Sequence, residues 1–234
     1  MSRVLIGLLS VFVVTAMALA EPAPAPAPGA PPAGTVPAAP SGNPPVRYDW
    51  QGNHKKAQAA LTARDYKTAI KLFTEILDSG RLPKGQWTAA TYYFRGKAYR
   101  SSRQYDLAVA DYLKAVEVDP KMDVAYYELG ATYQAKNDHK KAIGAFTQAI
   151  AIKGNADYYY GRCVSNSWVG NQSAAIGDCE AAARQHPTAD LLGALGRMYE
   201  DAGQKQRAIE TYRRALAINP NQPEAVEGLK QLTK

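Results

Sequence analysis

The chain has 234 residues and a formal net charge of +7, with 46% hydrophobic and 21% charged residues. These fractions are close to those of globular proteins, so the composition excludes a fully disordered chain. Two cysteines also exclude a small scaffold held together by many disulfides. Ten of the 15 prolines lie between Pro22 and Pro45, whereas all 15 tyrosines lie at or after Tyr48. The chain therefore divides near residue 46 into a part that cannot build a core and a part that can.

Residues 1–20 have the pattern of a secretory signal peptide. Arg3 is their only charge, 17 apolar or small residues follow from Val4 onward, and Ala18-Leu19-Ala20 precedes Glu21 as a cleavage pattern. We therefore expect an exported protein, in a bacterial periplasm. The alternative is an uncleaved amino-terminal membrane anchor facing the periplasm, for which an apolar run of this length is at the lower limit.

Residues 21–46 hold ten prolines in 26 positions and almost no charge. Proline removes a backbone donor and restricts the residue before it, so such a run favours extended polyproline II and builds no core. We predict a disordered Pro/Ala-rich linker that acts as a spacer. The alternative is a proline-rich ligand, which is less favoured because no basic residue stands beside a P-x-x-P core.

From residue 47 onward the sequence repeats, and each unit is marked by one alanine. These alanines are Ala69, Ala108, Ala142, Ala175 and Ala208, at spacings of 39, 34, 33 and 33 residues. Twelve residues earlier most units have a small residue, namely Gly96, Gly130, Cys163 and Gly196. Four residues later most units have a ring, namely Phe73, Tyr112, Phe146 and Tyr212. Small and large residues therefore recur at fixed offsets from unit to unit.

The pattern resembles the tetratricopeptide repeat, a helix–turn–helix unit of 34 residues, over about residues 50–220. The resemblance implies an all-α, right-handed superhelical solenoid of about five helix hairpins plus a carboxyl-terminal capping helix. The units are expected at about 50–83, 89–122, 123–155, 156–188 and 189–222, followed by a cap at 223–234. The wider first spacing places extra residues in a loop at 79–86, where either length drift or a function remains open.

In this family the first helix of each unit lines a concave groove that binds extended peptides. Transferred position by position, the resemblance implies that the groove residues are Tyr93, Lys97, Arg100, Tyr127, Gln134, Tyr160, Trp168 and Arg197. Tyrosine offers rigid apolar area and a hydroxyl, which suits recognition. The alternative is that the three tyrosines only fill space between helices.

Cys163 and Cys179 occupy the small and the bulky position of the same unit, and they are the only cysteines. An exported chain favours a disulfide between them. The two positions are expected to be diagonal, with Cα atoms a little beyond the limit of about 7 Å for such a bond, so two free buried thiols remain the alternative.

No residue pattern for catalysis, a cofactor or a metal ion is present. The three histidines share no ligand spacing with one another or with acidic residues, and the glycine-rich phosphate-binding and nucleophile motifs are missing. The sequence therefore predicts a protein that is not an enzyme and that uses no cofactor and no metal.

Charge is uneven along the repeats. Residues 47–118 carry 13 basic and 7 acidic residues, whereas residues 119–234 carry 14 and 13. Export argues against nucleic acid as the partner of the basic end. We therefore expect an exported scaffold or adaptor whose groove binds an extended or acidic protein segment to support assembly of a complex. The alternative is an envelope-associated protein whose basic repeats bind anionic cell-wall polymer or membrane.

Overall fold

The computed structural model describes residues 48–233, so the predictions for the signal peptide and for the linker lie outside the described residues. Within this range the chain is all-α, as predicted, with eleven helices and no strand. The helices are α1 (Trp50–Thr62), α2 (Tyr66–Asp78), α3 (Gln86–Ser101), α4 (Tyr105–Val118), α5 (Asp123–Ala135), α6 (His139–Ile152), α7 (Ala156–Trp168), α8 (Gln172–Gln185), α9 (Ala189–Asp201), α10 (Lys205–Ile218) and α11 (Pro223–Leu232). They form five consecutive hairpins followed by a single helix.

Local chemistry sets where the helices begin and end. The carboxylates of Asp49, Asp65 and Asp138 accept hydrogen bonds from main-chain N–H groups of the first turns of α1, α2 and α6. Every turn within a hairpin contains one residue with positive φ, and these are Arg64, Arg103, Asn137, Gly170 and Gly203. Asparagine and glycine are the usual residues in this conformation, whereas at the first two turns an arginine adopts it.

The core is built from rings that press against glycines. A Cβ atom at Gly130 would lie 2.8 Å from the Phe146 ring of the same unit, and one at Gly161 in the next unit would lie 2.6 Å from that ring. Tyr212 has the same arrangement between Gly196 at 2.5 Å and Gly228 at 2.2 Å. Because these distances leave no room for a methyl group, glycine allows one ring to join its own unit to the next.

An arginine–aspartate pair supports the second and the fourth unit in the same way. Arg95 donates two hydrogen bonds to Asp111 at 2.8 and 2.7 Å, and its third nitrogen donates to Thr74 Oγ1 of unit one at 3.1 Å. In unit four, Arg162 makes the equivalent bonds to Asp178 and to Thr147 of unit three. Both carboxylates are buried, so each guanidinium satisfies a buried charge while it ties two units together.

The helix contacts show which side of the array is the inner one. The first helices of successive units touch each other, α1 with α3, α3 with α5 and α5 with α7, and α9 also touches α11. In the described range no second helix touches the second helix of the next unit. The first helices therefore lie closer together and form the concave side of the array.

The structure joins Cys163 on α7 to Cys179 on α8 by a disulfide, with Cα atoms 5.4 Å apart. The separation expected from a diagonal placement was therefore too large. The reason is visible in the other units, where the equivalent residues face each other directly, as Gly96 does the Tyr112 ring at 2.9 Å. Oxidation of this pair in the cell stays a prediction.

The ends of the array differ from its middle. In α11, Ala225 is fully buried, whereas Val226 is 46% exposed, so only a narrow face of this helix is covered. In α1, His54 is buried among the rings of Phe73, Trp87 and Phe94 at centroid distances of 5.4 to 6.0 Å. The loop before α3 is anchored by Leu82, which packs against the buried cluster that contains Phe73 and Ile76.

The glycine–ring contacts predict opposite effects for one substitution at two kinds of helical site. Gly196→Ala places a methyl group 2.5 Å from the Tyr212 ring, so we expect a net loss of about 1–3 kcal/mol in the free energy of unfolding. Outside its own helix, no atom lies within 4 Å of the point that a Cβ at Gly144 would occupy, so Gly144→Ala should raise stability by about 1 kcal/mol through helix propensity. Urea unfolding followed by circular dichroism measures both, and equal effects would contradict the packing argument.

The buried imidazole of His54 predicts a pH dependence of stability. Burial lowers the pKa of His54, and its Nε2 atom has no hydrogen-bond partner among the described residues. A lowered pKa in the folded state means that the unfolded chain binds the proton first as the pH falls. Stability is therefore complete above about pH 6.5 and decreases below it, until the pH reaches the pKa of the folded state.

His54→Phe removes this proton-binding group and keeps a ring in the same cluster. We expect the difference in unfolding free energy between the protein and this variant to change between about pH 7 and pH 5. Parallel urea titrations at several pH values give this difference. A difference that stays constant with pH would show that His54 does not titrate in this way.

Candidate functional site

The three tyrosines predicted for the groove differ in exposure. Tyr93 and Tyr127 are half-buried, and their rings pack on Tyr112 and Phe146, at centroid distances of 6.2 and 5.9 Å. Tyr160 is 46% exposed. Packing therefore uses part of the first two rings, and Tyr160 presents the most open surface.

Lys97 and Arg100 lie beside Tyr93 and meet a carboxylate that the sequence pattern did not identify. Arg100 Nη1 lies 3.1 Å from Glu128 Oε2, and Lys97 Nζ lies 3.9 Å from Glu128 Oε1. The arginine contact is an ion pair without an aligned hydrogen bond, since Oε2 has no hydrogen-bond partner among the described residues. Glu128 is buried while both cations are more than one third exposed, so the cations remain accessible to solvent.

A further tyrosine connects units three and four on this side. Tyr158 is buried, its ring lies 5.1 Å from that of Tyr127, and its hydroxyl donates to Asp123 Oδ2 at 2.8 Å. Burial, and then the bond to Asp123, raise the pKa of Tyr158. Burial and nearby Glu128 and Asp123 likewise raise the pKa of Tyr93 to about 12. These hydroxyls are therefore protonated at neutral pH and able to donate hydrogen bonds.

The other predicted groove residues have separate environments. Gln134 donates to the Gly161 carbonyl and to Ser165 Oγ, both at 2.9 Å, so it joins units three and four. Trp168 is 71% exposed and stacks on His139, with ring centroids 5.2 Å apart. Arg197 lines a recess beneath α11 whose other charged residues are acidic, Glu200, Asp201, Glu224 and Glu227. The structure thus brings Tyr93, Lys97, Arg100 and Tyr127 together. Gln134, Trp168 and Arg197 lie elsewhere.

An open cleft adjoins Tyr160 where unit four meets unit five. It has a volume of about 290 Å³ and is lined by Ala156, Asp157, Tyr160, Ala182, His186, Thr188, Asp190 and Leu191. Two carboxylates, one exposed ring and an apolar floor therefore meet in one place. Among these residues the sequence pattern predicted only Tyr160. The others come from α7, α8, α9 and the turn between α8 and α9, so they belong to two different units and no pattern within one unit connects them.

Neither a metal site nor a membrane span is found in the described part of the chain. Residues 48–233 hold no group of three or more His, Cys, Asp or Glu side chains arranged to bind a metal ion. No helix in this range combines the length and the apolar character that crossing a bilayer requires.

Family models of the tetratricopeptide repeat match residues 96–137, 124–155 and 189–222. The last two ranges coincide with the hairpins α5–α6 and α9–α10, and the first runs from the middle of α3 through α4 to the end of α5. The chain contains tetratricopeptide repeats. The family resemblance seen in the sequence is therefore confirmed for the repeats, while the expected exported, bacterial type stays a prediction.

Two curated relatives show how the repeats occur in longer proteins. The chain is 34% identical to human tetratricopeptide repeat protein 6 over 171 residues, which is 71% of this chain and 32% of that protein. It is 31% identical to the yeast heat shock protein STI1 over 105 residues, 45% of this chain and 16% of that protein. The chain thus spans at most about a third of these relatives, so their activities do not transfer to it directly.

Solved structures support the solenoid fold. A crystal structure of MamA superposes with a TM-score of 0.64 at 24% identity, over 70% of this chain and 95% of that one. YrrB, a TPR protein with an unusual peptide-binding site, superposes with a TM-score of 0.65 at 20% identity, over 78% and 92% of the two chains. At these identities the likeness concerns the fold.

Proposed function

We propose that this protein is a non-catalytic scaffold or adaptor whose concave side binds an extended protein segment and thereby supports assembly of a protein complex. The observation that carries the proposal is the row of tyrosines on successive first helices, Tyr93, Tyr127 and Tyr160, of which the last is nearly half exposed. Rigid aromatic side chains give contact area at little cost in conformational entropy. YrrB, with the same fold and a peptide-binding site, supports the proposal.

The proposal extends to an exported protein, because the sequence pattern of residues 1–20 is that of a secretory signal peptide. Residues 21–46 then act as the spacer between the envelope and the repeats. Fractionation of cells that produce the full chain, with sequencing of the mature amino terminus, tests both statements.

A crosslinking experiment tests the groove. A photoreactive amino acid at Val124, a partly exposed residue on α5, should capture a partner in the native compartment. The same group at Gln148, exposed on the second helix α6, is the control on the other side of the array. We expect capture from Val124 and little from Gln148, and we expect Tyr127→Ala with Tyr160→Ala to reduce capture at least about tenfold.

Because Tyr127 packs on two other rings, the melting temperature of the double variant has to be compared with that of Tyr160→Ala alone. Crosslinking is then carried out well below both transitions. Equal capture from the two photoreactive positions, or unchanged capture in a folded double variant, would exclude the groove as the binding surface.

An acidic stretch in the partner would lie against unit two, where Lys97 and Arg100 now share Glu128. Glu128→Gln removes the internal carboxylate that competes for both cations. We expect the affinity for the captured segment to rise by up to about tenfold, since a charge-assisted bond is gained without a competitor. Glu117→Gln, which removes an exposed ion pair with Lys114 on α4, is the matched control. Unchanged affinity in the Glu128 variant would assign this ion pair a purely structural role.

Exposed basic residues favour a second candidate function, binding of an anionic envelope surface. Seven basic side chains within residues 48–118 are exposed and form no ion pair with described residues, namely Lys55, Lys56, Arg64, Lys67, Arg81, Lys84 and Arg103. Such binding depends on ionic strength. Binding of the Tyr127→Ala, Tyr160→Ala variant to isolated envelope fractions tests this function. Binding that persists in the variant and is released by salt favours it.

A further inference from the structure

The inner side of the array is interrupted at one place. The first helices of units one to four touch in succession, but no Cα atom of α7 lies within 8 Å of α9. Units four and five are therefore held together mainly through α8, and α7 and α9 do not contact each other. The Tyr160 cleft occupies this opening, with Asp157 and Tyr160 contributed by α7 and Asp190 and Leu191 contributed by α9.

Negative charge is concentrated in the cleft without a partner. Asp157 and Asp190 are exposed, and neither forms an ion pair within the described residues. The carboxyl-terminal end of α8 also reaches the cleft through Ala182 and His186, and that end of a helix carries the negative pole of its dipole. The amino-terminal ends of α7 and α9 oppose this with about half a positive charge each, so the two full carboxylate charges dominate.

Helix capping does not account for the two carboxylates. The main-chain N–H of Asp157 is already bound by the Asn155 side chain at 2.8 Å, and that of Leu191 by Thr188 Oγ1 at 3.2 Å. Asp157 and Asp190 follow these caps and make no hydrogen bond of their own through their carboxylates in the described structure. They remain available to a ligand.

The Tyr160 ring supplies a second attraction for a cation. A cation over the face of a tyrosine ring is stabilised by the ring quadrupole, and a guanidinium also stacks on it. This chain uses the same contact within its own fold, where the Arg207 guanidinium lies 4.2 Å from the Tyr199 ring centroid beside Glu180. The Tyr160 cleft has the same combination of ring and carboxylate, and no lysine or arginine is among its lining residues.

We propose that the Tyr160 cleft binds a basic side chain, lysine or arginine, of the protein segment that lies in the groove. This inference rests on the proposed function and adds the chemistry of the partner at one position. The apolar floor of Ala182 and Leu191 suits the methylene stem of such a side chain, while Asp157 and Asp190 pair with its head. Together with Lys97 and Arg100 at unit two, the groove then selects the direction of a segment that is acidic at one end and basic at the other.

Selection from a library of random twelve-residue peptides tests the proposal without knowledge of the partner. Peptides that bind the full protein are sequenced, and their affinities are measured by fluorescence anisotropy. Peptides whose binding is lost in Tyr127→Ala are groove ligands. We expect lysine or arginine to be enriched among them, and we expect their affinity to fall at least about tenfold when this residue is replaced by uncharged citrulline or norleucine.

Two charge-matched variants locate the effect. Asp157→Asn with Asp190→Asn should weaken the basic peptides at least about tenfold, and it should abolish the difference between arginine and citrulline. Asp78→Asn with Glu210→Gln removes the same charge from exposed residues on α2 and α10, and it should leave affinity within about twofold. Thermal unfolding of both variants checks that the fold is retained.

The outcomes separate this inference from the proposed function. Groove peptides without basic enrichment, or basic peptides that bind the Asp157/Asp190 variant as well as the parent, overturn the cleft proposal and leave the groove in place. A selection that yields no peptide sensitive to Tyr127→Ala overturns both.

Discussion

The array depends on rings that each touch two successive first helices. Phe146 fills the space between Gly130 of its own unit and Gly161 of the next, and Tyr212 does the same between Gly196 and Gly228. A helix hairpin alone leaves one face of such a ring in water, so each unit gains its stability only when the following helix covers that face. This sharing explains why a carboxyl-terminal helix is needed after the last hairpin, since α11 supplies the glycine that covers Tyr212.

The same sharing shapes the proposed binding surface. The large rings of the second helices fill the interior of the array, and the first helices lie close to one another. The aromatic residues of the first helices therefore lie on the concave side. Tyr93 and Tyr127 pack on Tyr112 and Phe146, and part of each side chain stays exposed. Only at unit four, where a disulfide replaces the ring and glycine pair, does the succession of first helices open toward α9. The groove therefore has a closed part rich in packed tyrosine and an open part rich in carboxylate.

The sequence was sufficient for the repeat architecture and insufficient for the charges of the groove. Gly196 and Tyr212 stand at fixed offsets within a unit, so their contact follows from the period alone. Arg95–Asp111 and Arg162–Asp178 also share an offset of 16 residues, but recognising them requires knowing which faces of two helices meet. Glu128 was missed because a single acidic residue on a tyrosine-rich helix gives no sign that it reaches back to the preceding unit. The pairing of Lys97 and Arg100, and the unpaired state of Asp157 and Asp190, depend on the spacing between units, which a sequence period does not give.

The disulfide has a consequence for the way in which the array opens. In a linear array, local unfolding begins at the ends, where a unit has one neighbour, and proceeds inward. The bond between Cys163 and Cys179 closes the hairpin of unit four covalently, so opening from α11 and α10 meets a barrier before it reaches units one to three. Amide hydrogens of α5 to α8 would then exchange with solvent as a late group. A ligand held between Tyr127 and Tyr160 would thus rest on the most persistent part of the protein, even while its ends open and close.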